Sequence, residues 1–457
     1  MFQNRQRLIQ NGGTALNQKA RRFSLIALED ALNAVDPYRC LTSRMRLSDG
    51  RVVVNGEQLQ LSRYNRIFLL AVGKASAAMM KAATEVLGDS PLYGLLVAPR
   101  DQPISSLDGR VTLFRASHPL PGQDGLRASK AVSSALRETG KDDLLICMIS
   151  GGASAMLPSP TPDIFLRDEQ RLTDLLIKSR ATIHEINTVR RHTSTLKGGR
   201  LVQMCRAKTI LSLIISDVPG NPIIDIASGL TAEDPTRYVD AVKVLKRHDL
   251  WADTPRTVRD HLIRGRLGKI DETPKPGARG FKRVHNIIVA DARTACTAAA
   301  ESLNRNGVNS RVLSTRVEME ALAMGRFLAS IALNCRRNSP HPRKGAAILG
   351  GETTVHVEGG GRGGRNQETV LSAVESVAGL DGVAIAALGT DGVDGNSKAA
   401  GALADGRSLK RAEMKRLEPK GFLARNDSYR FFRALNDNLI TGGTGTNVGD
   451  VYLMVAV

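Results

Sequence analysis

The chemistry-bearing residues cluster most densely at 350–368, GGETTVHVEGGGRGGRNQE. A β-branched run gives way to six consecutive glycine-or-arginine positions, Gly359 to Gly364, and Arg365 then opens a helix-like segment. Glycines let a backbone approach a ligand closely, and a helix N-terminus presents N–H groups without intrahelical partners. With two arginines in the loop, the implied ligand is a phosphate-rich anion. Gly359-x-Gly361-x-x-Gly364 also satisfies the dinucleotide fingerprint, which sits between a strand and a helix. So glycine-rich a run satisfies many patterns, however. The acid expected about 20 residues on, at the end of the next strand, arrives late, at Asp391.

Ligands of open parallel sheets bind beyond the carboxyl ends of the strands. FLLAV ends at Gly73-Lys74, and LLICMI ends at Ser150-Gly151-Gly152-Ala153-Ser154. LSLIIS ends at Asp217, AAILG at Gly351-Glu352, and AIAALG at Thr390-Asp391-Gly392. One lysine, three acids and a glycine turn form the inventory of metal-assisted phosphoryl transfer. Each member alone has a plainer explanation. Lys74 could cap a sheet, Asp217 and Asp391 could organise turns, and Ser150–Ser154 could be an N-cap. His118, in SHPLPG, fits a structural loop histidine, and Arg190 and Arg191 fit a helix surface. The joint occurrence at strand ends carries the inference. GxxxxGK[ST] and the protein-kinase signatures are absent, so the site belongs to another fold. Gly152-Ala153-Ser154-Ala155-Met156 lacks the last glycine of a nucleophile elbow.

At 457 residues the chain is too long for one core and predicts two or three domains. Hydrophobic residues make up 42% and charged residues 24%, the composition of a globular protein. No apolar run reaches the roughly 18–20 residues of a membrane span. Five scattered cysteines indicate neither a disulfide framework nor a zinc site. A reducing, cytoplasmic setting is expected, and the basic N-terminus lacks the apolar core of a secretory signal. The net charge of +19 is spread over several segments, and only 4% of residues are aromatic. Such a surface steers anionic substrates but offers no stacking platform for nucleic acid, so no specific nucleic-acid partner is expected.

Short apolar runs alternate with helical segments, the pattern of α/β architecture. Continuous runs such as LLICMI and LSLIIS predict strands buried on both faces, and hence parallel. Val52 to Leu61, with Asn55-Gly56 at its centre, predicts a hairpin with a type I′ turn. The polar, Pro- and Gly-bearing stretch 252–285 predicts the boundary. It leaves one domain at 1–275 and a second at 281–457, with the site in the cleft between them.

Eight ordered motifs then carry a resemblance: AVGKAS (71–76), SHPLPGQDGLRAS (117–129), SGGASAMLPSP (150–160), INTVRRHTSTLKGGRL (186–201), SDVPGNPIIDIASGLTAEDPT (216–236), GGETTVHVEGGGRGGRNQE (350–368), GTDGVDGNSKAAGAL (389–403) and TGGTGTNVGDVY (441–452). Together they resemble the class II glycerate kinases (glycerate 2-kinases), whose C-terminal part is the MOFRL domain. The resemblance implies two Rossmann-like α/β domains with mainly parallel sheets. It also implies ATP-dependent phosphorylation of D-glycerate at the 2-hydroxyl, assisted by Mg²⁺. Lys74 and Arg365 then correspond to the pair that handles glycerate and the migrating group, and Asp217, Glu352 and Asp391 to acids that line the cleft. The expected catalytic set is Lys74, Arg365, Asp217 and Asp391, with Asp217, Glu352 and Asp391 as metal ligands. Expected binding positions are Ser150, Gly151, Gly152, Ser154, Arg190, Glu352, Gly361, Gly363, Gly364 and Asn366, the turns at 150–154 and 359–364 cradling phosphates. Arg190, Arg191 and Arg365 are the candidates for the substrate carboxylate. Ala153, Val393, Gly443 and Gly449 depart from the family pattern. Some similar sequences carry the label hydroxypyruvate reductase, an NAD(P)H-dependent alternative. A homodimer is compatible with the sequence, which does not fix the oligomeric state.

Overall fold

A computed structural model describes residues 1–104, 106–336 and 344–457. The described chain forms two compact units, Pro37–Ser216 with Asn221–Val289, and Met1–Asp36 with Asp217–Gly220 and Ala290–Val457. They do not follow a single cut near 275–281. The unit holding the C-terminus begins at Ala290 and also takes in the first 36 residues.

In the Pro37–Val289 unit, β1 (Met45–Ser48), β2 (Arg51–Val54) and β3 (Glu57–Gln60) form a small antiparallel sheet. Asn55 and Gly56 both take positive φ between Val54 and Glu57, as a two-residue I′ hairpin requires. The main sheet contains β4 (Ile67–Val72), β5 (Leu92–Pro99), β6 (Val111–Ala116), β7 (Leu144–Ile149), β8 (Thr209–Ile215) and β9 (Val284–Ala290). Its order is β6-β5-β4-β7-β8-β9, and β4 through β8 pair in parallel. This is the doubly wound order, with the switch point beside β4 and β7. β4, β7 and β8 are buried at every residue, as their unbroken apolar runs predict.

The other unit has a second six-stranded sheet made of β10 (Ser310–Glu320), β11 (Gly345–Thr354), β12 (Val383–Gly389), β13 (Gly401–Asp405), β14 (Asn438–Leu439) and β15 (Asp450–Ala456). Its order is β10-β11-β15-β12-β13-β14. Only β10 and β11 pair in parallel, and the remaining neighbours are antiparallel. The expectation of mainly parallel sheets therefore holds in one unit and not in the other. β12 and β15 are continuous buried runs, but burial on both faces constrains the covering layers and not the strand direction. The layers here are helices: Ala15–Ala34 and Ala292–Arg305 pack on one side of the sheet elements, and Ala321–Arg336 and Arg365–Ala373 form the core with alternate strand residues such as Ile385, Ala387, Tyr452 and Met454. β10 was not expected, because SRVLSTRVEME is an edge strand with few buried residues.

Ala15–Ala34 explains why the first residues join the C-terminal sheet. Its Arg21 is wholly buried between Asp405 and Asp437 and donates to Leu8 O at 2.8 Å and to Asp437 Oδ1 at 2.8 Å. Burial alone would raise the Asp437 pKa, but Arg21 and Arg411 hold it below the usual carboxylate value. Asn17 Oδ1 accepts from Gly382 N at 2.7 Å, and Asn11 Nδ2 donates to Leu435 O and Asp437 Oδ1. Breaking a buried ion pair by removing one partner costs about 3–5 kcal/mol. Arg21→Met is expected to lower the stability of this unit by about that amount in urea or thermal unfolding. A loss under about 1 kcal/mol would show that the pair is not what anchors the N-terminal helix.

Candidate active site

In the Pro37–Val289 unit, Lys74 follows β4 and the 150–154 turn follows the adjacent β7. A Cβ on Gly73 (φ 118°) would fall 2.3 Å from Ser150 Oγ, so only glycine lets the two strand ends press together. Lys74 N donates to Gly151 O at 2.9 Å, and buried Ser150 Oγ accepts from Ala75 N at 3.0 Å. Gly152 takes φ 85°, and Ser154 Oγ lies 2.7 Å from Ser228 Oγ. Ser228 Oγ in turn donates to Asn187 Oδ1. Among the described residues, the N–H groups of Gly151, Gly152 and Ser154 donate to no protein acceptor. The turn thus keeps the N–H groups that an anion would use.

The two arginines of INTVRRHTSTLKGGR separate on the Ile183–His192 helix. Arg191 is fully buried, paired with Asp225 and Asp234, and also donates to Thr188 Oγ1 and Ile224 O. It holds the fold and has no capacity for substrate. Half-buried Arg190 has no hydrogen-bonded acceptor among the described residues, and burial lowers its pKa against the pull of Glu169. Buried Lys197 donates to Leu157 O at 3.3 Å and Glu169 Oε1 at 3.5 Å. Its pKa is also lowered, first by burial, with Arg190 contributing. Two cations thus share one carboxylate, and a desolvated positive excess attracts an anion.

In the other unit, register defines the site edge. Asp450, the first residue of β15, lies opposite Gly351 on β11 and Gly389 on β12. Because β15 runs antiparallel between them, its beginning meets their ends. Glu352 is the next residue of β11 after Gly351, and Asp391 lies two residues beyond Gly389. Arg365 opens the Arg365–Ala373 helix and donates from Nε to Asp450 Oδ2 at 2.5 Å, from Nη2 to Asp450 Oδ1 at 3.2 Å and from Nη1 to Glu352 Oε1 at 2.5 Å. Asn366 Nδ2 donates to Asp450 Oδ1 at 3.1 Å. Partial burial, with Asp450 and Asp217 nearby, raises the Glu352 pKa despite Arg365. Asp217 accepts from Asn447 Nδ2 at 2.8 Å, and Asp391 Oδ1 accepts from Val393 N at 3.1 Å. Asp450 went unrecognised because only the ends of strands were searched, and an antiparallel strand offers its start.

The glycine loop that dominates the sequence has a packing role that its composition does not announce. Gly359 N, Gly361 N, Arg362 N and Gly363 N donate to Asn426 Oδ1, Arg425 O, Asp427 Oδ1 and Asn396 Oδ1, each at 2.9 Å. A Cβ would fall 2.4 Å from Arg425 O at Gly361, 2.1 Å from Ser428 Oγ at Gly363 and 2.3 Å from Asp394 Oδ1 at Gly364. These glycines serve close packing, and the N–H groups of Gly359, Gly361 and Gly363 are already engaged. The following helix N-terminus is filled as well: buried Asp394 accepts from Asn366 N at 3.0 Å and Gln367 N at 2.8 Å. Burial raises the Asp394 pKa to about 6 against the pull of these donors. Four of the six N–H groups of 359–364 are thus committed to the protein, and among the described residues those of Gly360 and Gly364 donate to no protein acceptor. Gly364→Ala is expected to cost about 1–3 kcal/mol in unfolding experiments. Gly360→Ala, whose Cβ meets nothing within 4 Å, is expected to stay within about 0.5 kcal/mol of wild type. Equal stability of the two variants would contradict the packing role.

The description "Domain of unknown function (DUF4147)" matches residues 24–263, and the MOFRL family matches residues 345–450. A glycerate 2-kinase of Pyrococcus horikoshii is 35% identical over 95% of this chain and 97% of its own length. A protein of Agrobacterium vitis that bears a hydroxypyruvate reductase name is 38% identical over 84% of this chain and 86% of its own length. The crystal structure of a glycerate kinase from Thermotoga maritima superposes with a TM-score of 0.81 at 32% identity, covering 95% of this chain and 99% of that one. With both domain families in order and near-complete coverage by a relative of known class, the chain belongs to the class II glycerate kinase family, the glycerate 2-kinases with a MOFRL domain.

Proposed function

We propose that this protein transfers the γ-phosphoryl group of ATP to the 2-hydroxyl of D-glycerate, giving 2-phosphoglycerate and ADP in the cytoplasm. The observation that carries the proposal is the anion-seeking site of the Pro37–Val289 unit. There, the N–H groups of Gly151, Gly152 and Ser154 have no protein acceptors, and Arg190 and Lys197 outnumber Glu169. The turn is the phosphate cradle, and Arg190 receives the substrate carboxylate. Arg191 drops out of that role because it is fully buried against Asp225 and Asp234.

The other unit supplies the opposite charge balance. Glu352 and Asp450 pair with one guanidinium, that of Arg365, and Asp217 acts on Glu352, an excess of carboxylate that suits a divalent cation at Asp217 and Glu352. No group of three or more metal-ligating side chains is found among the described residues. Mg²⁺ takes one or two carboxylates plus substrate phosphates, and Asp217 and Glu352 fit that need. Asp391 is not among the principal charges acting on Glu352, so its role as a third ligand has less support. Bound Mg²⁺ would neutralise charge on the ATP phosphates. Lys74 and Arg365 are assigned to the charge developing on the migrating group, and Asp217 or Asp391 to the 2-hydroxyl proton.

A glycerate- and Mg²⁺-dependent ADP-release assay, with 2- and 3-phosphoglycerate resolved, tests the proposal. Arg365→Ala is expected to reduce kcat roughly 10²–10³-fold. Arg190→Ala is expected to raise KM for glycerate more than it lowers kcat, because it removes a contact made equally in ground and transition states. Oxidation of NAD(P)H by hydroxypyruvate at 340 nm, without glycerate-dependent ADP release, would favour the reductase instead.

A further inference from the structure

We propose that Asp450 is a positioning residue that fixes the working orientation of Arg365; this rests on the role given to Arg365 in phosphoryl transfer. An ionised carboxylate has about four lone-pair directions, and Asp450 has all of them occupied. Oδ1 accepts from Arg365 Nη2 at 3.2 Å and Asn366 Nδ2 at 3.1 Å, and Oδ2 accepts from Arg365 Nε at 2.5 Å and Tyr452 OH at 2.9 Å. Asp450 is 1% exposed. So filled and buried a carboxylate has no direction left for a metal ion or a substrate proton. It is therefore neither ligand nor base.

Its effect is on the guanidinium. Two parallel hydrogen bonds lock the Nε/Nη2 edge, since a bidentate pair fixes angle as well as distance. The remaining Nη1 corner points to the half-exposed Glu352 at 2.5 Å. Arg365 sits in the first turn of its helix, and Asp394 holds the Asn366 and Gln367 N–H groups of that same turn. Asp394 thus fixes the backbone of this turn and Asp450 fixes the Arg365 side chain. Tyr452 OH accepts from Thr353 N at 3.1 Å, and its single proton is within reach of Asp450 Oδ2 at 2.9 Å, with Thr353 Oγ1 at 3.0 Å the competing acceptor.

Asp450→Asn keeps the shape and removes the charge. A misplacement of about 1 Å in a reacting constellation costs on the order of 10²-fold in rate. Asp450→Asn is accordingly expected to lower kcat roughly 10–100-fold, with KM for glycerate within about threefold of wild type. In an Arg365→Ala background the same substitution should change kcat less than about twofold, because residues acting as a unit are non-additive. If Asp450→Asn does not fold, Tyr452→Phe applies the same test more gently. It should give a loss of a few fold that likewise disappears without Arg365. Equal fold-losses with and without Arg365, or no loss in either variant, would overturn the proposal. A wild-type protein with no glycerate-dependent ADP release would instead overturn the kinase function on which it rests.

Discussion

The antiparallel insertion of β15 between β11 and β12 governs the C-terminal unit. It sets Asp450 opposite Gly351 and Gly389, so one edge collects the ends of two strands and the start of a third. The acids Glu352, Asp391 and Asp450 reach that edge from three strands, and the helix behind it supplies Arg365. Strand direction is fixed by backbone hydrogen bonding. The side-chain cluster is a consequence of that pairing.

Charge divides between the two units in a chemically useful way. The Arg190, Lys197 and Glu169 group has an excess of positive charge, and the Asp217, Glu352, Asp450 and Arg365 group has an excess of negative charge. An unbalanced buried charge raises free energy unless a counter-charge arrives. Each imbalance therefore favours a ligand, an anion in one unit and a cation in the other. The balanced cluster behaves differently. Arg21 and Arg411 set two cations against the carboxylates of Asp405 and Asp437 and hold the N-terminal helix in place.

The glycine-rich run shows that composition alone does not name its cause. Glycine is required both where a ligand approaches and where another backbone does. At 359–364 the approaching partners are residues 425–428 and Asp394. At Gly73, by contrast, close approach brings Lys74 against the 150–154 turn, where the N–H groups of Gly151, Gly152 and Ser154 meet no protein acceptor among the described residues. The two loops look alike in sequence because both exclude Cβ atoms. Only the neighbours distinguish packing from binding.

Local pattern in the sequence was enough for the parallel sheet of β4 to β8, the Asn55-Gly56 hairpin and the charged residues at strand ends. Each depends on residues close in the chain: unbroken apolar runs, turn chemistry and the side chain that follows a strand. Tertiary structure alone decided what depends on partners far away in sequence. Ala15–Ala34 covers the C-terminal sheet because Arg21 meets Asp405 and Asp437 there, and an amphipathic pattern does not name its partner. The second sheet is mixed because β12 and β15 are equally apolar whichever way they run. Arg190 and Arg191 are adjacent in sequence, yet helical geometry turns one into the core and leaves the other without an acceptor. Asp450 joins the site because an antiparallel strand brings its first residue to the edge where its neighbours end.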